Sequence, residues 1–215
     1  MTSIPRKQPD SGATPPRSQP GYVESTRRTI PTSQPAYTAF FEGYRGYLHL
    51  VQGIPHIGYG HVVGPRGWRP PDHDVTMHNE WIPEPLARRI LQYDLEQAVL
   101  RLMDILGPEV WRSLDYRGLT ATEAVMKEEA VEAGLKPYQE VIWASPTQIV
   151  LMDWCLNTGG GSMPRFVEAV KGGEWGEAHD ELLYNMRGER TAYYKTRPER
   201  AELNAAVIAT GEWPE

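Results

Sequence analysis

The chain has 215 residues, 40% of them hydrophobic and 23% charged, which is enough apolar material for one domain with a real core. The formal net charge of −6 disfavours non-specific nucleic-acid binding, which needs clustered Lys and Arg, and also free adsorption to an anionic cell wall. One cysteine, Cys155, excludes an internal disulfide, and no run of about eighteen apolar residues marks a membrane span.

Residues 1–36 are rich in Pro, Ser, Thr and Gln and poor in aliphatic side chains. Such a segment cannot bury enough surface to offset its ordering entropy, so it is expected as a disordered or partner-docked leader. It lacks the apolar core of a signal peptide. Residues 37–48, with Phe40, Phe41, Tyr44, Tyr47 and Leu48, read as a short helix. A glycine-rich section to about residue 70 follows, with Gly53, Gly58, Gly60 and Gly64 suited to turns and bends of a hairpin. The stretch from Asp72 to Trp81 reads as a polar loop.

The clearest helix starts near Pro85, where Leu86, Ile90, Leu91, Leu95, Val99, Leu102 and Leu106 recur at helical spacing. The segment 107–145 is irregular apart from TATEAVMKEEAVEAG, a helix that Thr120 or Thr122 would cap. SPTQIVLMDWCLN reads as a central buried helix capped by Ser145, with Pro146 in its first turn and Cys155 as a small buried hydrophobe. FVEAVKGGEWGEAHDELLYNM gives two helices parted by Gly172 and Gly173, and RPERAELNAAVIATG a last helix ending at Gly211. The fold class expected is α+β, mainly α.

Among candidate functional groups, Glu42 stands out because it precedes the β section among aromatic neighbours. A carboxylic acid that stays protonated near neutrality can protonate a glycosidic oxygen, although an exposed helix glutamate would look the same from position alone. The loop DHDVTMH, with His73 and His78, is better read as solvated than as a metal site, and neither CxxC nor HExxH occurs. Arg187 and Arg190 suit either an acidic peptide ligand or the surface. The seven tryptophans suit mainly the core, with one or two free to stack on sugars.

The company Glu42 keeps is more specific. EGYR at 42–45 and GIPHIGYGH at 53–61 resemble the signature of the phage-type lysozymes, the family of the T-even bacteriophage lysozyme. IPEPLARRILQYDLEQAV is similar to that family's long inter-lobe helix, and IVLMDWCLNTGGGSMPRF to its central buried helix and following turn. GGEWGEAHDELL and YYKTRPERAELNAAVIATGEW continue in the same order. The resemblance covers roughly residues 37–213 with an extra segment at about 107–143. It implies a domain over 37–215 with a small β-hairpin lobe and a larger helical lobe joined by a long helix.

It also implies function. Glu42 matches the family's general acid, Arg200 the arginine that holds it, and His61 a structural histidine. Asn157 falls at a groove-lining amide, and Gly58 and Tyr59 lie in the glycine-spaced stretch that would let a sugar pass close to the main chain. The implied reaction is cleavage of the β-1,4 bond between N-acetylmuramic acid and N-acetylglucosamine in peptidoglycan, with no cofactor, no metal, and neither nucleic acid nor membrane as partner. The setting is a bacteriophage: the virion, or the host cytoplasm with release to the periplasm. Two departures stand out. The family's aspartate falls at Leu50 or Val51, both apolar, and its threonine position holds His56. Three readings remain. His56 replaces the missing group, since imidazole titrates near neutrality. Glu42 works alone as acid then base, with the muramic 6-hydroxyl attacking, as in lytic transglycosylases. Or the fold has lost activity and serves as a virion structural or adaptor protein, docked through its leader. A chitinase-like activity is a distant further alternative.

Overall fold

The structure, a computed structural model, describes residues 34–63, 81–134, 144–161 and 163–214. Gly64 and the DHDVTMH loop lie outside the described residues, as do 1–33 of the leader. The described chain is mainly helical with one small antiparallel sheet of three strands. Among the described residues no helix is long and apolar enough to cross a membrane.

Helix α1 (Gln34–Glu42) stops earlier than the sequence predicts. Gly43 takes φ +65° and turns the chain directly into strand β1 (Arg45–Val51), so Tyr44, Tyr47 and Leu48 belong to the loop and strand rather than to a helix. Tyr37, wholly buried, anchors α1 by packing on Phe41 and Trp213 with ring centres 5.0 and 5.2 Å away. Strand β2 (Ile54–Gly58) pairs back on β1 with His49 opposite His56 and Val51 opposite Ile54. The two-residue turn between them has both φ angles positive, Gln52 at +53° and Gly53 at +81°, the twist that suits a tight hairpin. Strand β3 (His61–Val62) completes the sheet.

Helix α2 (Glu84–Leu106) ties the sheet to the helical body. Its N-terminal half receives the sheet: Gly58 sits against Ala87, and His61 against Asp94. Its C-terminal half receives the buried helix α5 (Pro146–Thr158), where Cys155 Sγ lies 3.8 Å from the Ala98 carbonyl and Arg101 donates to the Gly159 carbonyl. Its buried positions include Ile90, Leu91, Leu95, Leu102 and Leu106, as the periodicity predicts. Helix α5 opens with a reciprocal cap in which Ser145 and Gln148 each bond the other's backbone N–H, and residues 146–155 are all buried.

Helices α3 (Pro108–Ser113) and α4 (Ala121–Glu132) occupy the extra segment, with Thr120 just before α4 and Thr122 inside it. Its described part is stitched to the body. Arg117 donates to Thr147 Oγ1 and the Ile208 carbonyl and stacks 3.8 Å over Trp175. A side chain at Gly118 would collide with the Gly211 carbonyl oxygen. Lys127, buried, donates to the Asp115 carbonyl, and burial lowers its pKa against the opposing pull of the Asp115 carboxylate. Helices α6 (Pro164–Gly172), α7 (Trp175–Leu183), α8 (Ala192–Thr196) and α9 (Pro198–Thr210) complete the body, with Gly173 and Gly211 as left-handed caps.

Candidate active site

Glu42 is the last residue of α1, placed where the helix gives way to the sheet. Its side chain is 22% exposed. One oxygen, Oε1, accepts a hydrogen bond from Arg200 Nη1 at 2.6 Å. The other, Oε2, faces the β2–β3 turn, where a Cβ on Gly60 would sit 3.3 Å from it. Gly60 has φ +85°, a conformation that suits glycine, and its missing side chain leaves room for Oε2.

Arg200 rises from the first turn of α9 and is 4% exposed. Its Nε donates to Asp153 Oδ2 at 2.8 Å and its Nη2 to Asp153 Oδ1. Asp153, on α5, is wholly buried. Asn204, one turn after Arg200 on the same face of α9, donates to Asp153 Oδ2 at 2.9 Å, and the Tyr193 hydroxyl of α8 lies 3.3 Å from the same oxygen. Tyr37 closes the network by donating to Asn204 Oδ1. A guanidinium so buried would lose basicity, but the charge and hydrogen bonds of Asp153, with Glu42 behind them, raise the Arg200 pKa instead. Burial, with the Asp153 charge, raises the Tyr193 and Tyr37 phenols, so both are neutral at physiological pH.

The structure thus brings Glu42 and Arg200 together, the pairing that the resemblance implies. It also supplies Asp153, which sequence reasoning missed, although a lone acid in the apolar run IVLMDWCL was a signal: a buried charge must be paired. His61 is buried, with Nδ1 3.0 Å from Asp94 Oδ2, the internal bond expected of it.

The other predicted residues lie apart. His56 is half-buried on β2, its Nδ1 2.8 Å from the Ile54 carbonyl and its ring 6.0 Å from that of His49. A carbonyl only accepts, so in the neutral ring Nδ1 carries the proton and Nε2 keeps the lone pair. Among the described residues no hydrogen bond or ion pair joins His56 to Glu42. Gly58 is buried against α2: a Cβ there would meet the Ala87 Cβ at 3.0 Å, so the bare backbone admits a helix rather than a sugar. Tyr59 is buried and its hydroxyl donates to Glu84 Oε1 at 2.7 Å; burial first, and then this bond, pushes its pKa up to about 12. Both residues fasten the sheet to α2. The glycine of this stretch beside the acid is Gly60.

Asn157 donates from Nδ2 to the Asp153 carbonyl at 2.8 Å and lines a cavity of about 680 Å³. This cavity runs from Gln52, at the hairpin turn, to Asn157, Met163, Tyr184, Arg190 and Tyr193 of the helical body. Glu42 and His56 do not line it, but Tyr193 does, and the Tyr193 hydroxyl lies 3.3 Å from Asp153 Oδ2. Among the described residues no group of three or more His, Cys, Asp or Glu forms a metal cluster. No family model matches the chain, and no curated protein matches it.

Proposed function

We propose that the chain is a lysozyme-like glycosidase that cleaves the β-1,4 bond between N-acetylmuramic acid and N-acetylglucosamine in peptidoglycan, in a bacteriophage setting. The observation that carries this reading is the Glu42–Arg200 pair: an acid at a helix-to-sheet junction, one oxygen held by a buried guanidinium and the other left beside a glycine. The sheet lobe and helical body joined by α2 agree with a lysozyme-like arrangement. The cavity between the hairpin turn and the helical body, lined by Gln52, Asn157 and Tyr193, offers a place for part of a glycan. Residues 1–36 are the segment through which virion proteins would be held.

Glu42 protonates the glycosidic oxygen from Oε2, and the C1–O bond breaks with its electrons on the leaving sugar. No second carboxylate faces this step in the described residues: Asp153 is wholly buried behind Arg200, and Leu50 and Val51 hold the hairpin positions. The oxocarbenium-like centre is then closed in one of two ways. Water attacks, its proton taken by His56 Nε2 or by the Glu42 carboxylate. Alternatively the muramic 6-hydroxyl attacks C1 and gives its proton to Glu42, releasing a 1,6-anhydro sugar without consuming water. The second needs only the carboxyl that is present.

A second reading, an inactive fold kept for assembly, is favoured by the hairpin tip, where Leu50 is 69% exposed and Val51 and Ile54 are exposed beside it. Digestion of purified peptidoglycan by wild type, Glu42→Gln and His56→Ala, with mass spectrometry of the released muropeptides, decides among these. Reducing ends from wild type and none from Glu42→Gln establish a hydrolase; anhydro-muramyl ends establish a transglycosylase indifferent to His56→Ala. No release by the folded wild-type protein overturns the enzyme reading.

A further inference from the structure

Arg200 poses a difficulty for a proton donor at Glu42. A guanidinium against a carboxylate favours the ionised form, yet a general acid must be protonated for part of its cycle. If Glu42 were the sole counter-charge of Arg200, each protonation would strand a cation that is 4% exposed, an unfavourable state for a buried charge.

The hydrogen bonds of Arg200 resolve the difficulty. Two of its nitrogens, Nε and Nη2, go to Asp153, and Nη1 alone goes to Glu42. Asp153 is held in turn by Asn204 and Tyr193, which fix Oδ2. The cluster therefore carries two carboxylates around one guanidinium. When Glu42 gains a proton, Arg200 and Asp153 remain as a neutral, fork-on-fork pair.

We propose that Asp153 is the buried counter-ion of this site, a positioning residue that neutralises Arg200 so that the guanidinium orients Glu42 while Glu42 gains and loses its proton. This rests on reading Glu42 as the proton donor. Among the described residues, the titratable and charged groups facing the cluster are Arg200 from α9, Asp153 from α5, Tyr193 from α8 and Tyr37 from α1, with the Asn204 amide beside them and Gly60 from the β2–β3 turn. Burial keeps both phenols neutral, so Asp153 and Arg200 are the charges among them that act on Glu42.

The test is a carboxyl ¹³C NMR titration of the full chain, with the Glu42 signal assigned by its loss in Glu42→Gln. In Asp153→Asn the Glu42 midpoint is expected to fall by about one pH unit or more, because Arg200 then acts uncompensated. In the double variant Asp153→Asn/Arg200→Gln, which removes both buried charges, it is expected to return to within about half a unit of wild type. An unchanged midpoint in Asp153→Asn overturns the proposal. Should that variant not fold, the double variant decides: a midpoint about one unit or more above wild type would show that Arg200 acted on Glu42 unbalanced. On peptidoglycan, the alkaline limb of the pH–rate profile of Asp153→Asn should move acidward with KM little changed. Absence of activity in the wild type would defeat the glycosidase reading alone, since the titration reads the counter-ion without turnover.

Discussion

At the scale of single residues, the site depends as much on an absent side chain as on those present. Gly60 and Gly53 both have positive φ, so alanine strains the backbone at either and should lower stability by about 1 kcal/mol or more. They differ in surroundings: an added Cβ meets Glu42 Oε2 at position 60 and nothing within 4 Å at position 53. Gly60→Ala is therefore expected to lose about tenfold or more of any glycan cleavage, as a displaced catalytic group does, while Gly53→Ala keeps it despite a similar drop in melting temperature. Equal activities would remove Glu42 Oε2 from the chemistry. Cys155 makes a different prediction. Burial raises its thiol to about 11, so the reactive thiolate is scarce at pH 8, and alkylating reagents should label the native protein far more slowly than the protein in urea.

At the scale of elements, what the sequence disclosed followed the strength of each local signal. Helices α2, α5 and α9 were legible because apolar spacing, the Ser145 cap and the Gly211 stop agreed with one another. The end of α1 was not, because the aromatic run FFEGYRGYL carries no period that separates helix from strand, and only the left-handed turn at Gly43 settles it. Helices α3 and α8 have 6 and 5 residues, too few to show a period. Glu42 and Arg200 were legible through their motifs, whereas Gly58 and Tyr59 sat in the right stretch but on the side that faces α2. The extra segment gave no role from sequence, and the structure gives its described part a mechanical one through Arg117. Arg117→Ala removes bonds to Thr147 and to the end of α9 together with the stack on Trp175. It should cost about 2–3 kcal/mol in urea unfolding; a loss under about 0.5 kcal/mol, the usual surface value, would mark the segment as an appendage.

At the scale of the whole molecule, the buried phenols set the alkaline limit. A group whose folded pKa is raised contributes stability that is complete below its unfolded value and lost as pH rises through the folded one. Tyr59 moves from 10.0 to about 12, so its share is present below pH 10 and disappears between pH 10 and 12. Tyr37 and Tyr193 are raised further and extend the loss above that window. Thermal unfolding should accordingly be insensitive to these groups up to pH 10 and fall steeply beyond it, with tyrosinate absorbance appearing together with the loss of near-ultraviolet circular dichroism. Tyr59→Phe should flatten the part of that fall between pH 10 and 12; an unaltered slope would mean that the phenol ionises without unfolding.

The ion pair at the centre of the site joins residues 158 positions apart, and Tyr37 meets Trp213 and Asn204 across a similar interval. Beginning and end of the described domain are thus clasped at the very place where the acid is held. During synthesis Glu42 leaves the ribosome 158 residues before its guanidinium partner. A nascent chain therefore carries the acid across that whole interval without the group that aims it, and the site is assembled only once α9 has emerged.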